Sequence, residues 1–171
     1  MKVLMVIPPT QFRDEELFEP KAILEGDGVT VLVASTSART CHGIKGGVVN
    51  ADLAIADAKA EEFDGLVLCG GASAPQFLWE DKKLQELAAA MSAAGKVVGA
   101  ISLSTVVLAR AKLLAGKSAT VYFLPKAIQE LKTAGATYVS EPLLVQGKLI
   151  LAEGPEQSTR FGQAIRAALA N

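Results

Sequence analysis

Four short segments of the chain are almost wholly apolar and show no polar alternation. They are Lys2–Ile7, Val29–Ala34, Gly65–Leu68 and Val97–Ile101. A strand with one face in water alternates apolar and polar residues, whereas a strand covered on both faces does not. The segments therefore predict the inner strands of a parallel sheet with helices on both sides. We predict a doubly wound α/β architecture and one domain over residues 1–171.

Helical patterns separate these strands, as crossover connections between parallel strands require. We predict helices over Asp14–Glu25, Asp81–Ala94, Ser102–Leu114, Pro125–Ala134 and Glu156–Ala170. Asp14 is placed to cap the first helix, and Pro20 is expected to start a new turn or kink that helix. Two shorter segments, Gly43–Val49 and Leu143–Ile150, are typical of hairpins, the second turning at Gln146-Gly147.

Composition excludes several classes of protein. Half of the residues are apolar, and 17 Lys and Arg nearly balance 18 Asp and Glu, which excludes a disordered chain and leaves no basic face for nucleic acid. A Cys/His zinc site would need nearly all of the one His and two Cys, no pair of which has ligand spacing, so we expect no metal. Two Cys are too few for a disulfide framework, so we expect a reducing, cytoplasmic setting. No apolar run approaches the roughly 18 residues of a membrane span, and no G-x-G-x-x-G predicts a dinucleotide cofactor.

The turn after Val97–Ile101 is the first candidate site. Ser102 follows the strand directly, small residues stand two positions away on either side (Ala100 and Ser104), and a helix begins there. A nucleophile elbow, the sharp strand-to-helix turn that raises one side chain above the sheet, needs this pattern. The alternative is that Ser102 or Ser104 only caps the helix.

Two other turns end at the same edge of the sheet. Gly70 and Gly71 follow a buried strand, so their amides are candidates for holding a ligand or an oxyanion; the alternative is a tight turn that merely requires glycine. Acidic residues follow the first strand, and one turned inward would be an acid/base candidate. Cys69 is expected to be a buried apolar residue, and Cys41-His42 to lie in a loop.

Taken together, these segments resemble the ThiJ/PfpI family, whose members include Parkinson disease protein seven and the PfpI-type intracellular proteases. The segments that carry the resemblance span nearly the whole chain: Phe12–Pro20, Asp64–Gly71, Val97–Ile101, Leu113–Thr120, Gly147–Ile150, Gly154-Pro155 and the last helix. The resemblance implies a flavodoxin-like three-layer α/β/α sandwich with a mostly parallel sheet, of the class I glutamine amidotransferase type. It further implies a homodimer or larger homo-oligomer. Glu16, four residues before Pro20, matches the inward-facing glutamate of the family.

The elbow departs from the family pattern. Where the family typically has Cys-His-Gly, this chain has Ser102-Leu103-Ser104, and Glu153 replaces a frequent Arg before Gly-Pro. A thiol ionises readily at a helix N-terminus, but a serine hydroxyl needs an adjacent base, and His42 is the single histidine.

Three hypotheses follow. The first is a protein without cysteine-dependent catalysis that binds a small polar or carbonyl ligand through Glu16, Gly70, Gly71, Ser102 and Leu103. The second is a hydrolase or glyoxalase-like enzyme in which Ser102 is the nucleophile and Glu16 carries a proton. The third is a chaperone-like or assembly role. None of them requires a cofactor.

Overall fold

A seven-stranded sheet forms the centre of the protein, in a computed structural model that describes residues 1–171. The strands in chain order are β1 Lys2–Val6, β2 Thr10–Phe12, β3 Thr30–Ser35, β4 Thr40–Gly43, β5 Val48–Asn50, β6 Leu53–Ala54, β7 Gly65–Leu68, β8 Val97–Ile101, β9 Ser118–Ala119, β10 Thr137–Tyr138, β11 Leu143–Gln146 and β12 Leu149–Ala152. The central sheet has the order β11-β12-β8-β7-β1-β3-β6. All neighbouring strands in it are parallel except β11, which pairs antiparallel with β12.

Helices cover both faces of this sheet. They are α1 Asp14–Gly26, α2 Ala74–Phe77, α3 Lys82–Ala93, α4 Thr105–Arg110, α5 Pro125–Thr133 and α6 Ser158–Ala170. Leu17 of α1 and Phe161 of α6 belong to a core of 20 buried residues on one face. Leu84 of α3 and Leu131 of α5 belong to a core of 28 on the other. Between these two cores, β1, β7 and β8 are buried almost throughout. The predicted three-layer sandwich with a mostly parallel sheet is thus confirmed. No helix is both long enough and apolar enough to cross a membrane.

The helix predicted over Ser102–Leu114 is wrong in its extent. Residues Ser102–Ser104 form a 3-10 turn, and α4 ends at Arg110. The cause is a left-handed residue, Lys112, at φ 64°. The Lys112 amide donates a hydrogen bond to the Ala109 carbonyl, and the Leu113 amide donates one to the Leu108 carbonyl. This is the Schellman pattern that ends helices. Glycine usually occupies that position, so a lysine there gives no stop signal in the sequence.

The hairpin predicted over Gly43–Val49 is shifted, because its strands are β4 and β5 and the predicted range holds the turn between them. Cys41 and His42 therefore lie on β4 rather than in a loop. Asp14 does not cap α1; its carboxylate instead accepts the amides of Lys45 and Gly47, both at 2.8 Å, and thereby holds this turn against α1. The hairpin of β11 and β12 is confirmed, with Gly147 in its turn at φ 64°.

Candidate active site at the carboxyl end of the sheet

Ser102 has the backbone conformation of a nucleophile elbow. It follows β8 directly, has φ 61° and is 4% exposed. A positive φ is unusual for a residue other than glycine and costs about 1–2 kcal/mol, so the surrounding structure must hold it. Neither Ser102 nor Ser104 makes a side-chain capping bond, and the Ser104 hydroxyl donates instead to the Cys69 carbonyl at 2.7 Å. The capping alternative is therefore wrong.

Gly70 allows the elbow and the first helix to approach each other. A Cβ atom at this position would lie 3.0 Å from the Ser102 Cβ and 3.0 Å from Glu16 Oε2. Any larger residue would have to push one of them away. The close contact between Ser102 and Glu16 thus depends on a missing side chain in the neighbouring strand-to-helix turn.

Glu16 is fully buried in the first turn of α1. Its Oε2 accepts the Gly70 amide at 2.7 Å, while its Oε1 has no hydrogen-bond partner. Burial raises the pKa of Glu16 to about 8, although the Gly70 amide and the nearby Ser102 hydroxyl both lower it. The side chain is therefore mainly a neutral carboxylic acid at pH 7, and can donate a hydrogen bond as well as accept one.

Cys69 lies under this site and is not a reactive thiol. Pro20 has no amide hydrogen, so the Glu16 carbonyl four residues earlier lacks its helical donor. The Cys69 thiol donates to that carbonyl at 3.3 Å. Burial, together with the neighbouring Glu16, raises the pKa of Cys69 well above the ordinary value, so the thiol keeps its proton.

A cavity of about 240 Å³ opens at this point. Its walls are formed by Arg13, Glu16, Ile44, Gly71, Ala72, Ser102, Leu103, Tyr122, Leu124 and Pro155. The volume is that of roughly eight liquid waters, smaller than a typical drug-sized pocket. The cavity therefore suits a ligand with only a few non-hydrogen atoms.

The Gly71 amide, in the wall of this cavity, has no hydrogen-bond partner in the protein. Gly71 has φ 134°, and a Cβ there would overlap the backbone of Gln11 and Phe12. The Gly70 amide differs from it because it donates a hydrogen bond to Glu16 Oε2. Glu16, Gly71, Ser102 and Leu103 are thus together at the cavity, and Gly70 lies behind it as the support for Glu16.

His42 is the predicted candidate that the structure leaves outside. It is exposed on β4 and is not part of the cavity wall. Its neighbour Cys41 is buried, with its thiol directed to the Arg39 carbonyl at 3.6 Å. No group of three or more His, Cys, Asp or Glu side chains is arranged to hold a metal ion.

Sequence reasoning missed six wall residues, of which Arg13, Ile44 and Tyr122 come from three different parts of the chain. Arg13 directly precedes α1, where its charge looks like an ordinary surface feature. Ile44 lies in the turn that Asp14 holds, and Tyr122 in an irregular segment before α5. Neither segment has the periodicity that would place it in space, so only the tertiary structure brings them to the site.

Trp79 supports the elbow from the face of the sheet opposite to α1. Its indole N–H donates to the Leu103 carbonyl at 2.8 Å. The Arg110 guanidinium lies 5.6 Å from the Trp79 ring centre. This guanidinium donates hydrogen bonds of 3.1 and 2.6 Å to the Glu130 carboxylate, which hold it in place. This group of side chains fixes the residue that follows Ser102.

Comparison with known proteins agrees with the resemblance inferred from the sequence. The chain is 45% identical over 168 residues to an uncharacterized protein of Methanocaldococcus jannaschii, covering 98% of this chain and 82% of that one. It is 35% identical over 155 residues to a deglycase of Pyrococcus abyssi, covering 91% of each. The crystal structure of a ThiJ/PfpI domain protein from Brachyspira murdochii superposes with a TM-score of 0.93 at 33% identity, covering 99% of this chain and 96% of that one. Because the DJ-1/PfpI family model also matches residues 1–168, the chain belongs to the DJ-1/PfpI family.

Proposed function

We propose that this protein binds a small carbonyl compound in the Ser102 cavity and carries out no cysteine-dependent catalysis. The observation that carries the proposal is the state of Glu16. It is the one carboxyl group in the cavity wall, and its pKa of about 8 leaves it protonated at neutral pH. It therefore donates a proton to a ligand rather than taking one from Ser102.

The rest of the cavity offers no better base for Ser102. Its other ionisable side chains are those of Arg13, a guanidinium with no acceptor atom, and Tyr122, a phenol. His42 is absent from the wall. A serine hydroxyl without an adjacent base is a poor nucleophile, unlike the cysteine that the family resemblance places at the elbow.

The polar groups of the cavity match a carbonyl oxygen. The Gly71 amide is a free donor, and the Ser102 hydroxyl and the protonated Glu16 add two more. Ile44 and Pro155 supply an apolar wall for the carbon part of the ligand. Such a site has a few placed donors against apolar surface, which is the usual form of a small-molecule site.

The test compares the native protein with Ser102→Ala and Ser102→Cys in assays of methylglyoxal conversion and of ester and peptide hydrolysis. We expect no turnover by the native protein or by Ser102→Ala, and measurable methylglyoxal conversion by Ser102→Cys. The matched control is Ser104→Cys, which places a thiol two residues away where the native hydroxyl faces the Cys69 carbonyl. It should remain inactive.

Ligand binding is measured separately, by saturation-transfer NMR with hydroxyacetone. Native protein should bind it, and Ser102→Ala should bind it about fivefold or more weakly, since one donor is lost. Absence of hydroxyacetone binding to the native protein contradicts the proposal.

A hydrolase or glyoxalase that uses Ser102 is the second candidate. The φ of 61° at Ser102 favours this candidate, because nucleophile elbows share that geometry, and so does the free amide of Gly71 in the same cavity. Relatives named as deglycases and as a putative cysteine protease lend it further support. Native turnover that Ser102→Ala abolishes would establish this candidate and overturn the first.

A further inference from the structure

We infer that the ligand of this cavity is a 2-oxo acid, whose carboxylate binds Arg13 while its ketone oxygen meets the donors around Ser102. The inference rests on the proposed carbonyl-binding function and names the substrate class of the same site. It depends on Arg13, which the sequence did not single out.

Arg13 is fixed beside the glycine turn. Its backbone amide donates to the Gly70 carbonyl at 3.0 Å, next to the free amide of Gly71. Its Nε lies 3.1 Å from Glu15 Oε2, and its side chain is 32% exposed. The two terminal nitrogens of the guanidinium make no hydrogen bond in the protein. Since Arg13 is part of the cavity wall, these nitrogens are available to a ligand.

The charge of the cavity wall favours an anion. Arg13 is a permanent cation, and the single carboxyl group of the wall, Glu16, is buried and largely protonated at neutral pH. The carboxylate of Glu15 lies outside the wall and is shared between Arg13 and Lys45, the latter at 3.2 Å. At neutral pH the wall therefore carries a net positive charge, which attracts an anionic ligand.

A second observation points to a ligand independently of Arg13. Glu16 Oε1 is fully buried and has no partner in the protein. A buried polar oxygen without a hydrogen bond is destabilising, and a ligand oxygen that bonds to it would remove this penalty. Glu16 belongs to the wall, so this unpartnered group and the free nitrogens of Arg13 border the same space.

The size of the cavity favours a small ligand that carries both groups. Guanidinium binds a carboxylate with two parallel hydrogen bonds, while the Gly71 amide and the Ser102 hydroxyl suit one carbonyl oxygen. A volume of about 240 Å³ fits a small molecule in which the two groups are close together. A 2-oxo acid, with its ketone and carboxylate on adjacent carbons, has the shortest possible separation between them.

The experiment measures binding of three probes by NMR titration at low salt: sodium pyruvate, methyl pyruvate and sodium acetate. Methyl pyruvate keeps the ketone and loses the charge, whereas acetate keeps the charge and has no ketone. Each probe is titrated into the native protein, Arg13→Gln and the control Arg160→Gln, which removes an exposed arginine of α6 outside the cavity wall.

We expect native protein and Arg160→Gln to bind pyruvate about tenfold or more tightly than either other probe. Arg13→Gln should lose that preference while binding methyl pyruvate as native protein does. If pyruvate and methyl pyruvate bind equally to native protein, or if Arg13→Gln keeps the preference, the inference is wrong and the carbonyl-binding function stands. If methyl pyruvate and pyruvate both fail to bind, the proposed function itself fails. Acetate binding as tight as that of pyruvate shows a carboxylate site without carbonyl recognition and overturns both.

Discussion

The surroundings of Glu16 and of Glu130 shift the pKa values of these two glutamates in opposite directions. Glu16 is fully buried among backbone segments and has no cationic partner, and burial raises its pKa to about 8. Glu130 is partly exposed on α5, and its hydrogen bonds with Arg110 hold its pKa below the usual range despite partial burial. Loss of hydration therefore raises the pKa of Glu16, whereas a charged partner lowers the pKa of Glu130.

The two regions also differ in how they are built. Around Glu16, backbone segments approach so closely that Gly70 and Gly71 have no room for a side chain. Around Glu130, the contacts are between side chains at the surface of α4 and α5, and Gly116, beyond the end of α4, has open space around it. Close backbone packing thus removes most of the hydration of Glu16 and leaves it without an ion pair.

The largest effect is expected from adding one methyl group in each region. Gly71→Ala should lower the free energy of unfolding by about 4 kcal/mol, because the new Cβ overlaps the Gln11 and Phe12 backbone at a φ that alanine avoids. Gly116→Ala, also at positive φ but in open space, should lower it by about 1 kcal/mol. Urea unfolding measures both. Equal losses would show that close packing is not what distinguishes the elbow region.

The next effect is a pH dependence of stability from Glu16. Its folded pKa of about 8 exceeds the ordinary value of 4.5, so between these limits the folded protein retains a proton that the unfolded chain has released. Stability from this group is therefore present below pH 4.5 and falls as pH rises, by roughly 1.4 kcal/mol per pH unit and by about 4 kcal/mol at pH 8.

Glu16→Gln removes this dependence, because the amide is neutral at every pH and still accepts from Gly70. The variant should be about 4 kcal/mol more stable than native protein at pH 8, and nearly equal to it at pH 4.5. Glu19→Gln, at an exposed position of the same helix, serves as control. If native protein and Glu16→Gln show parallel profiles, Glu16 is ionised at neutral pH, and the proton-donor role proposed for it fails.

The smallest effect is expected at Glu130. Glu130→Gln should lose about 1 kcal/mol at pH 7, since the ion pair with Arg110 is partly exposed to solvent. The folded pKa is lowered, so this stability is present above the ordinary pKa and disappears as pH falls through the folded pKa. Unfolding at pH 7 and at pH 3 measures the difference from native protein, with the exposed Glu86→Gln as control. A loss that persists unchanged at pH 3 would contradict the ion-pair explanation.

Much of the fold could be predicted from the sequence because it depends on local patterns. Gly65–Leu68 and Val97–Ile101 are strands with the predicted bounds, and the cavity lies where two strands end in a glycine pair and a serine. The failures have equally physical causes. Lys112 ends α4 in a conformation usually given to glycine, and the Asp14 carboxylate serves a turn about 30 residues away instead of its own helix. Partners so distant in the chain leave no periodic signal.

The sequence by itself determined the parallel sheet and the sharp turn at Ser102, since apolar runs and turn residues are properties of neighbouring residues, and its resemblance to a known family implied the inward position of Glu16. Only the tertiary structure decided that burial raises the pKa of Glu16, that its partner is the Gly70 amide, and that the Gly71 amide has no partner in the protein. It also decided that Arg13 borders the cavity while His42 stays outside. Hydration and hydrogen bonding depend on what surrounds a group in space, and here those surroundings come from six separate parts of the chain.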